Sequence, residues 1–255
     1  MKNVAVLVWA GILVATGLGI CAYKAYILGM PVKADQTTDV WTVEARIGFQ
    51  AEGGPAIVDL SVPSVMPGFL KLDEHFIANR YGMAIDETGD HRKVQWVKRR
   101  AHGAETLYYR ISVAPSEQTA LWQDRPALPS PPDYEEPYAT AIRTIINDVR
   151  QESADVFTYT RELLRQLNAP QANQNVALLR AQARSPHEWT NQVIEILKGV
   201  RIPARVLWAL PINDTSNDAQ MVPLLQVHNG STWLAFNPAT GDPGLPANFL
   251  PWRIG

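Results

Sequence analysis

The chain of 255 residues carries 23 lysines and arginines against 25 acids, a net charge of −2. Charge this balanced argues against nucleic acid as a main partner, and 46% apolar residues are enough to build a core in one or two domains. Cys21 is the single cysteine, so the chain after it has neither a disulfide nor a thiol nucleophile.

Asn3 to Tyr23 is uncharged and mostly apolar, and a membrane span needs about 20 such residues. A cleaved signal peptide has a shorter apolar core, about 7–15 residues. No Ala-x-Ala site follows, and Ile20 is too large for the position before a lipoprotein cysteine. Residues 1–30 therefore read as an uncleaved membrane anchor, and residues 24–38 as a polar tether. A mature protein beginning after Ala22 is not expected. Lys2 is offset by Lys24 and Lys33, so charge leaves the orientation open.

From Val40 the pattern changes to period two. Val43, Ala45, Ile47 and Phe49 alternate with polar or small residues, as do Val58, Leu60 and Val62, and Leu107, Tyr109, Ile111 and Val113. These are half-buried strands. Gly53-Gly54-Pro55, Pro67-Gly68 and Glu87-Thr88-Gly89-Asp90 punctuate them. A β-sandwich over 38–115 fits this spacing. Residues 116–137, rich in proline, read as a semi-rigid linker.

Helical spacing follows. Ala141, Ile142, Ile145, Ile146 and Val149 share one face of a helix over 138–152. Phe157, Leu163, Leu164 and Leu167 do the same over 155–167, and a short helix runs from Asn175 to about Gln182. In the next helix Trp189, Val193, Ile196 and Leu197 fall at i, i+4, i+7 and i+8. Ser185 caps it, Pro186 suits the first helical position, Glu188 completes a capping box, and Gly199 ends it. Val206 to Leu210 reads as a buried strand. Asn229-Gly230 predicts a two-residue hairpin turn, with Val227 facing Thr232, Gln226 facing Trp233 and Val222 facing Asn237.

A helix followed by Ile202-Pro203-Ala204-Arg205, then a hairpin ending Trp233-Leu234-Ala235-Phe236-Asn237-Pro238, resembles the core of transglutaminase-like proteins. The resemblance implies an α+β fold: a membrane helix, a β-sandwich, and a papain-like domain of helices and antiparallel sheet over 138–255. In that family a cysteine at the helix N-terminus, a histidine and an aspartate form the triad. Carried over by spacing, Pro186 stands at the cysteine position, Val222 (or Met221) at the histidine position and Asn237 at the aspartate position. None of the three can do the chemistry. This is similar to the inactive transglutaminases fused to seven transmembrane helices, found in bacterial membranes. None of those seven helices is in this chain, so it reads as the N-terminal part of a longer protein.

The resemblance implies no enzyme activity and no cofactor. It implies a domain at the periplasmic face of the inner membrane, acting as a peptide-binding, sensory or scaffolding module for a peptide or cell-envelope ligand. It also implies a functional link to an ATP-grasp peptide ligase. The alternative is an active periplasmic peptidase or acyltransferase with a non-standard triad. Ser185 is the imaginable nucleophile, but a helix cap explains it. His187 is expected to point to solvent and His228 to sit exposed beside the hairpin turn. Asp73-Glu74-His75 is a poor metal set, because neighbours on a strand face opposite ways. The basic stretch His91 to His102 could attract anionic lipid, although a solvated strand pair is the expected reading. Trp96, Trp189, Trp208 and Trp233 are expected in the core or sheets, with an aromatic-lined groove as the alternative.

Overall fold

The computed structural model describes residues 2–27, 39–117, 120–170, 173–213 and 219–255. The chain falls into two units, Met1–Asp39 and Val40–Gly255. In the first, helix α1 runs over Lys2–Tyr26. No helix among the described residues is long and apolar enough to cross a membrane. The span expected over Asn3–Tyr23 therefore gains no support from the structure. Most of the expected tether lies outside the described residues.

The second unit opens with six strands: β1 (Trp41–Glu52), β2 (Ala56–Ser61), β3 (Phe69–Ala78), β4 (Gly82–Thr88), β5 (His91–Lys98) and β6 (His102–Pro115). They form two antiparallel three-stranded sheets, β1-β6-β3 and β2-β5-β4. Period two is real in β1, whose residues alternate between half-buried and exposed along its whole length. Leu107, Tyr109, Ile111 and Val113 of β6 are fully buried. They meet Val94 and Trp96 of β5 in one core.

Four helices follow: α2 (Tyr138–Gln151), α3 (Val156–Leu167), α4 (Gln174–Arg180) and α5 (Pro186–Gly199). Then come β7 (Ala204–Pro211), β8 (Val222–His228), β9 (Trp233–Phe236) and β10 (Phe249–Ile254), ordered β10-β7-β8-β9. One face of this sheet packs Val206, Leu225, Val227 and Phe236 against the helices. Leu207, Ala209 and Leu224 are covered instead by Trp122 of the proline-rich stretch, Leu245 and Phe249. A sheet covered on both faces needs continuous apolar runs rather than alternation, which is why Val206 to Leu210 shows no period. Leu210, Ile212, Leu250 and Trp252 continue into the sandwich core.

Two local expectations change. The first is the β8–β9 hairpin, which pairs His228 with Trp233, Val227 with Leu234, Gln226 with Ala235 and Leu225 with Phe236. Its loop has four residues, because the Asn229 side chain accepts from the N–H groups of Ser231 (2.9 Å) and Thr232 (2.8 Å). An asparagine bonding backbone two residues on makes its own turn. The shift by two keeps every side chain on its face, but it removes the expected Val222–Asn237 pair. Val222 lies opposite Ala209 of β7 instead, and Asn237 follows the end of β9.

The second is the end of α5. Gly199 is its last helical residue, Val200 caps it, and Arg201 takes the left-handed conformation at φ 60°. The glycine is needed for space. A Cβ there would lie 2.8 Å from the Tyr134 hydroxyl and 3.3 Å from Ile146 Cδ1. That hydroxyl donates to the Glu195 carbonyl at 2.6 Å. Alanine gains about 1 kcal/mol of helix propensity but displaces this bond and Ile146. Gly199→Ala should lower stability by about 1 kcal/mol in denaturant unfolding. In a Tyr134→Phe background, where the hydroxyl is gone, the same change should be neutral or stabilising.

Candidate functional site

The first turn of α5 is the natural place to look for chemistry, since a helix N-terminus presents free N–H groups and positive potential. The Ser185 hydroxyl accepts from the Glu188 N–H at 3.2 Å. The Glu188 carboxylate reaches past Ser185 and accepts from the Arg184 N–H at 2.6 Å, so the capping box is shifted by one residue. Pro186 occupies the first helical position and is exposed. Ser185→Ala should cost about 1 kcal/mol; an unchanged denaturation midpoint would mean the cap carries no weight.

One turn on, the Trp189 ring is buried and its indole N–H donates to the Pro238 carbonyl at 3.3 Å. Asn168 donates to the same carbonyl at 3.1 Å, and the Arg180 guanidinium lies 4.5 Å from the Trp189 ring centre. His187 lies against Trp208 of β7, ring centres 4.9 Å apart. Trp208 is paired with Pro223, next to Val222. The helix bearing Pro186 is thus tied to the residue after Asn237 and to the strand beside Val222. The three expected positions lie on elements that meet, but not as cross-strand partners. The Asn237 carboxamide oxygen accepts from the Ala239 N–H at 2.9 Å and so shapes the following turn. Proline, valine and this asparagine offer no nucleophile and no base.

A second cluster gathers around Arg205, the last residue of Ile202-Pro203-Ala204-Arg205. Its Nη1 donates to Asp124 Oδ2 at 2.6 Å and its Nε to Gln226 Oε1 at 2.8 Å. The guanidinium lies 3.7 Å from the Trp233 ring centre. Trp233 in turn donates its indole N–H to Asp124 Oδ1 at 2.9 Å, and Asp90 lies against Asp124 with Oδ2 3.4 Å from its backbone nitrogen.

The two carboxyls titrate apart. Burial raises Asp90, and the adjoining Asp124 carboxyl adds to the rise. Burial also opposes ionisation of Asp124, but the hydrogen bond with Asp90 and the charge of Arg205 outweigh it and hold Asp124 below the usual carboxylate range. Each shift carries its own sign. Asp124 contributes stability above the ordinary carboxylate range, and this is lost as pH falls through its lowered midpoint. Asp90 contributes only while protonated, and that is lost as pH rises through its raised midpoint. Asp90→Asn keeps the neutral form at every pH. It should therefore raise the melting temperature at neutral pH and flatten the loss of stability above the carboxylate range.

Set against known proteins, residues 23–183 match the family model described as an inactive transglutaminase fused to seven transmembrane helices. The chain belongs to that family. The match spans the sandwich and helices α2 to α4 and stops before Ser185. The expected triad positions thus lie beyond it. No curated protein matches the chain. Among solved structures, a candidate cysteine protease from Cytophaga hutchinsonii shares the fold, at 13% identity and a TM-score of 0.53, over 86% of this chain and 82% of that one. A candidate protease from Parabacteroides distasonis aligns over 80% of this chain and 47% of its own, at 11% identity and a TM-score of only 0.22.

Within this inactive-transglutaminase unit the histidines differ from expectation. His228 is buried, because Trp233 lies directly opposite and its ring packs edge-on at 5.1 Å. Its Nδ1 accepts from the Gly230 N–H at 3.2 Å. His187 does not project into solvent. It is half-buried between Trp208 and Asn191, whose amide lies 3.2 Å from Nε2. The basic stretch is largely neutralised in place: Arg92 pairs with Glu74 and Glu87, Lys93 with Asp59 and Lys98 with Glu105. In Asp73-Glu74-His75 the faces alternate. Glu74 accepts from Arg92 and from the Tyr109 hydroxyl, while Asp73 and His75 pair with each other at 2.7 Å. Trp96, Trp189 and Trp233 are buried, and Trp208 is half-buried in β7.

Proposed function

We propose that the chain is a catalytically inactive transglutaminase-like module that binds a ligand or partner. Pro186, Val222 and Asn237 would be the former triad positions. The observation that carries this is the first turn of α5: it begins with proline, and the sequence has no cysteine after Cys21. The nearest imidazole, His187, is engaged by Trp208 and Asn191. The Ser185 hydroxyl serves as the helix cap, which weighs against its use as a nucleophile in an active peptidase or acyltransferase. A fold can keep its packing after losing its reactive groups, and the retained surface still binds.

In this reading the module stands at the periplasmic face of a bacterial inner membrane, held by the segment over Asn3–Tyr23 or by the helices its family carries. It serves there as a sensory or scaffolding part for a peptide or cell-envelope ligand, with a functional link to an ATP-grasp peptide ligase. The test is incubation of the chain with amine donors and peptide substrates. No turnover above blank is expected, and turnover would overturn the inactive reading. A reproducible rise in melting temperature with a peptide ligand separates a binding module from a structural spacer.

A further inference from the structure

A cavity of about 280 Å³ lies where the end of the proline-rich stretch meets α2, α4 and α5. Its volume is just below that of small-molecule pockets, which run about 300–1,000 Å³, and suits one long side chain. Ile142, Leu179 and Ile196 line it and are themselves buried, so part of the wall is apolar. The tyrosines Tyr134 and Tyr138 also line it. Three lining residues are acids, Asp133, Glu135 and Glu195, and among the described residues no lysine, arginine or histidine lines it.

Glu195 is paired with Lys198 at 2.7 Å. Asp133 and Glu135 form no ion pair among the described residues. A further lining residue, Gln192, donates its amide N–H to Gln182 Oε1 at 3.2 Å. Its own Oε1 is sealed from solvent and accepts no hydrogen bond. That atom lies behind the wall, out of a ligand's reach, so what the lining offers a cation is its unpaired carboxylates, Asp133 and Glu135.

We propose that this cavity takes a basic side chain, lysine or arginine, presented on a peptide. The aliphatic stem would lie on Ile142, Leu179 and Ile196. The charged head would meet the tyrosine rings and stand within the field of Asp133 and Glu135. A lining that is acidic, aromatic and apolar at once disfavours anions, and a purely apolar ligand would leave Asp133 and Glu135 without a partner. The site is separate from the first turn of α5, so it stands whether or not the triad reading holds.

The experiment is calorimetric titration of the full chain with acetyl-Gly-Lys-Gly-amide and acetyl-Gly-Arg-Gly-amide. The controls are the neutral isosteres carrying acetyl-lysine and citrulline. At least one basic peptide should bind with a dissociation constant on the order of 1 mM or tighter. Its neutral isostere should bind at least about tenfold more weakly, and affinity should fall with added salt. The double variant Asp133→Lys, Glu135→Lys alters only exposed positions. It should weaken binding at least about tenfold with an unchanged melting temperature, since charge at the rim acts through its field. No binding of either basic peptide, equal binding of the neutral isosteres, or unchanged affinity in the double variant would each overturn the proposal. A failure here leaves the inactive reading untouched, and turnover of a substrate would overturn that reading without touching this one.

Discussion

Trp252→Ala should lower the unfolding free energy by about 3–5 kcal/mol, the usual loss for emptying a buried aromatic site. Trp252 is 4% exposed. Its ring meets Tyr109 edge-on at 5.8 Å, and its indole N–H donates to the Ser61 carbonyl at 2.9 Å. Removing it empties a site in the sandwich core and leaves a sandwich carbonyl unpaired, although the residue belongs to β10. Trp252→Phe keeps most of the ring and loses the hydrogen bond, so it should cost far less, about 1–2 kcal/mol. Urea unfolding of the three proteins measures both. A loss under 1 kcal/mol for the alanine variant would show that β10 contributes little to the sandwich.

Arg205→Ala should cost about 2–3 kcal/mol. Removing one partner of a fully buried ion pair typically costs 3–5 kcal/mol, but the Asp124 side chain is 37% exposed and water screens part of the loss. The variant strands Asp124, frees Gln226 and uncovers the Trp233 ring. Arg205→Lys should recover little, because one ammonium cannot reproduce the flat fork that serves Asp124, Gln226 and the ring together. The acid dependence gives a second measurement. Without Arg205 the Asp124 carboxyl loses part of what holds its midpoint down, so the stability it contributes should begin to fall at a higher pH. A lysine variant as stable as the parent would mean that charge alone matters here.

Much of the fold was legible because local physics decides it. The helices α2, α3 and α5 announce themselves through apolar spacing, and α5 also through Ser185 as its cap. The strands β1 and β6 do so by strict alternation. Strand β4 could not be read this way, since every residue of it is exposed and alternation needs one covered face. Strand β10 contains Pro251 and a register shift beside it, features that argue against a strand in any sequence pattern.

The site was legible only as far as its elements. The first turn of α5 and the hairpin were placed correctly, but the hairpin register was not. Asn229-Gly230 supports two loop lengths, and the Asn229 side chain chooses the longer. The Arg205 cluster was missed because its partner Asp124 stands 81 residues away in a stretch without periodicity. His228 was misjudged because burial there comes from Trp233, a cross-strand neighbour whose place depends on that register.

The shared core sets an order of events for the growing chain. Ser61 and Trp252 are hydrogen-bonded across 191 residues, and Leu250 joins the same apolar cluster. As the polypeptide is synthesised, all six sandwich strands emerge well before β10. Until β10 arrives, the Ser61 carbonyl and the Tyr109 ring lack the partner that covers them. The first-made layer must wait for the last-made strand, so translation from the amino end does not let the sandwich mature first. Its completion is postponed until α2 to α5 and the second sheet have also been made, and a nascent chain halted anywhere before Trp252 carries an unfinished, apolar-faced sandwich.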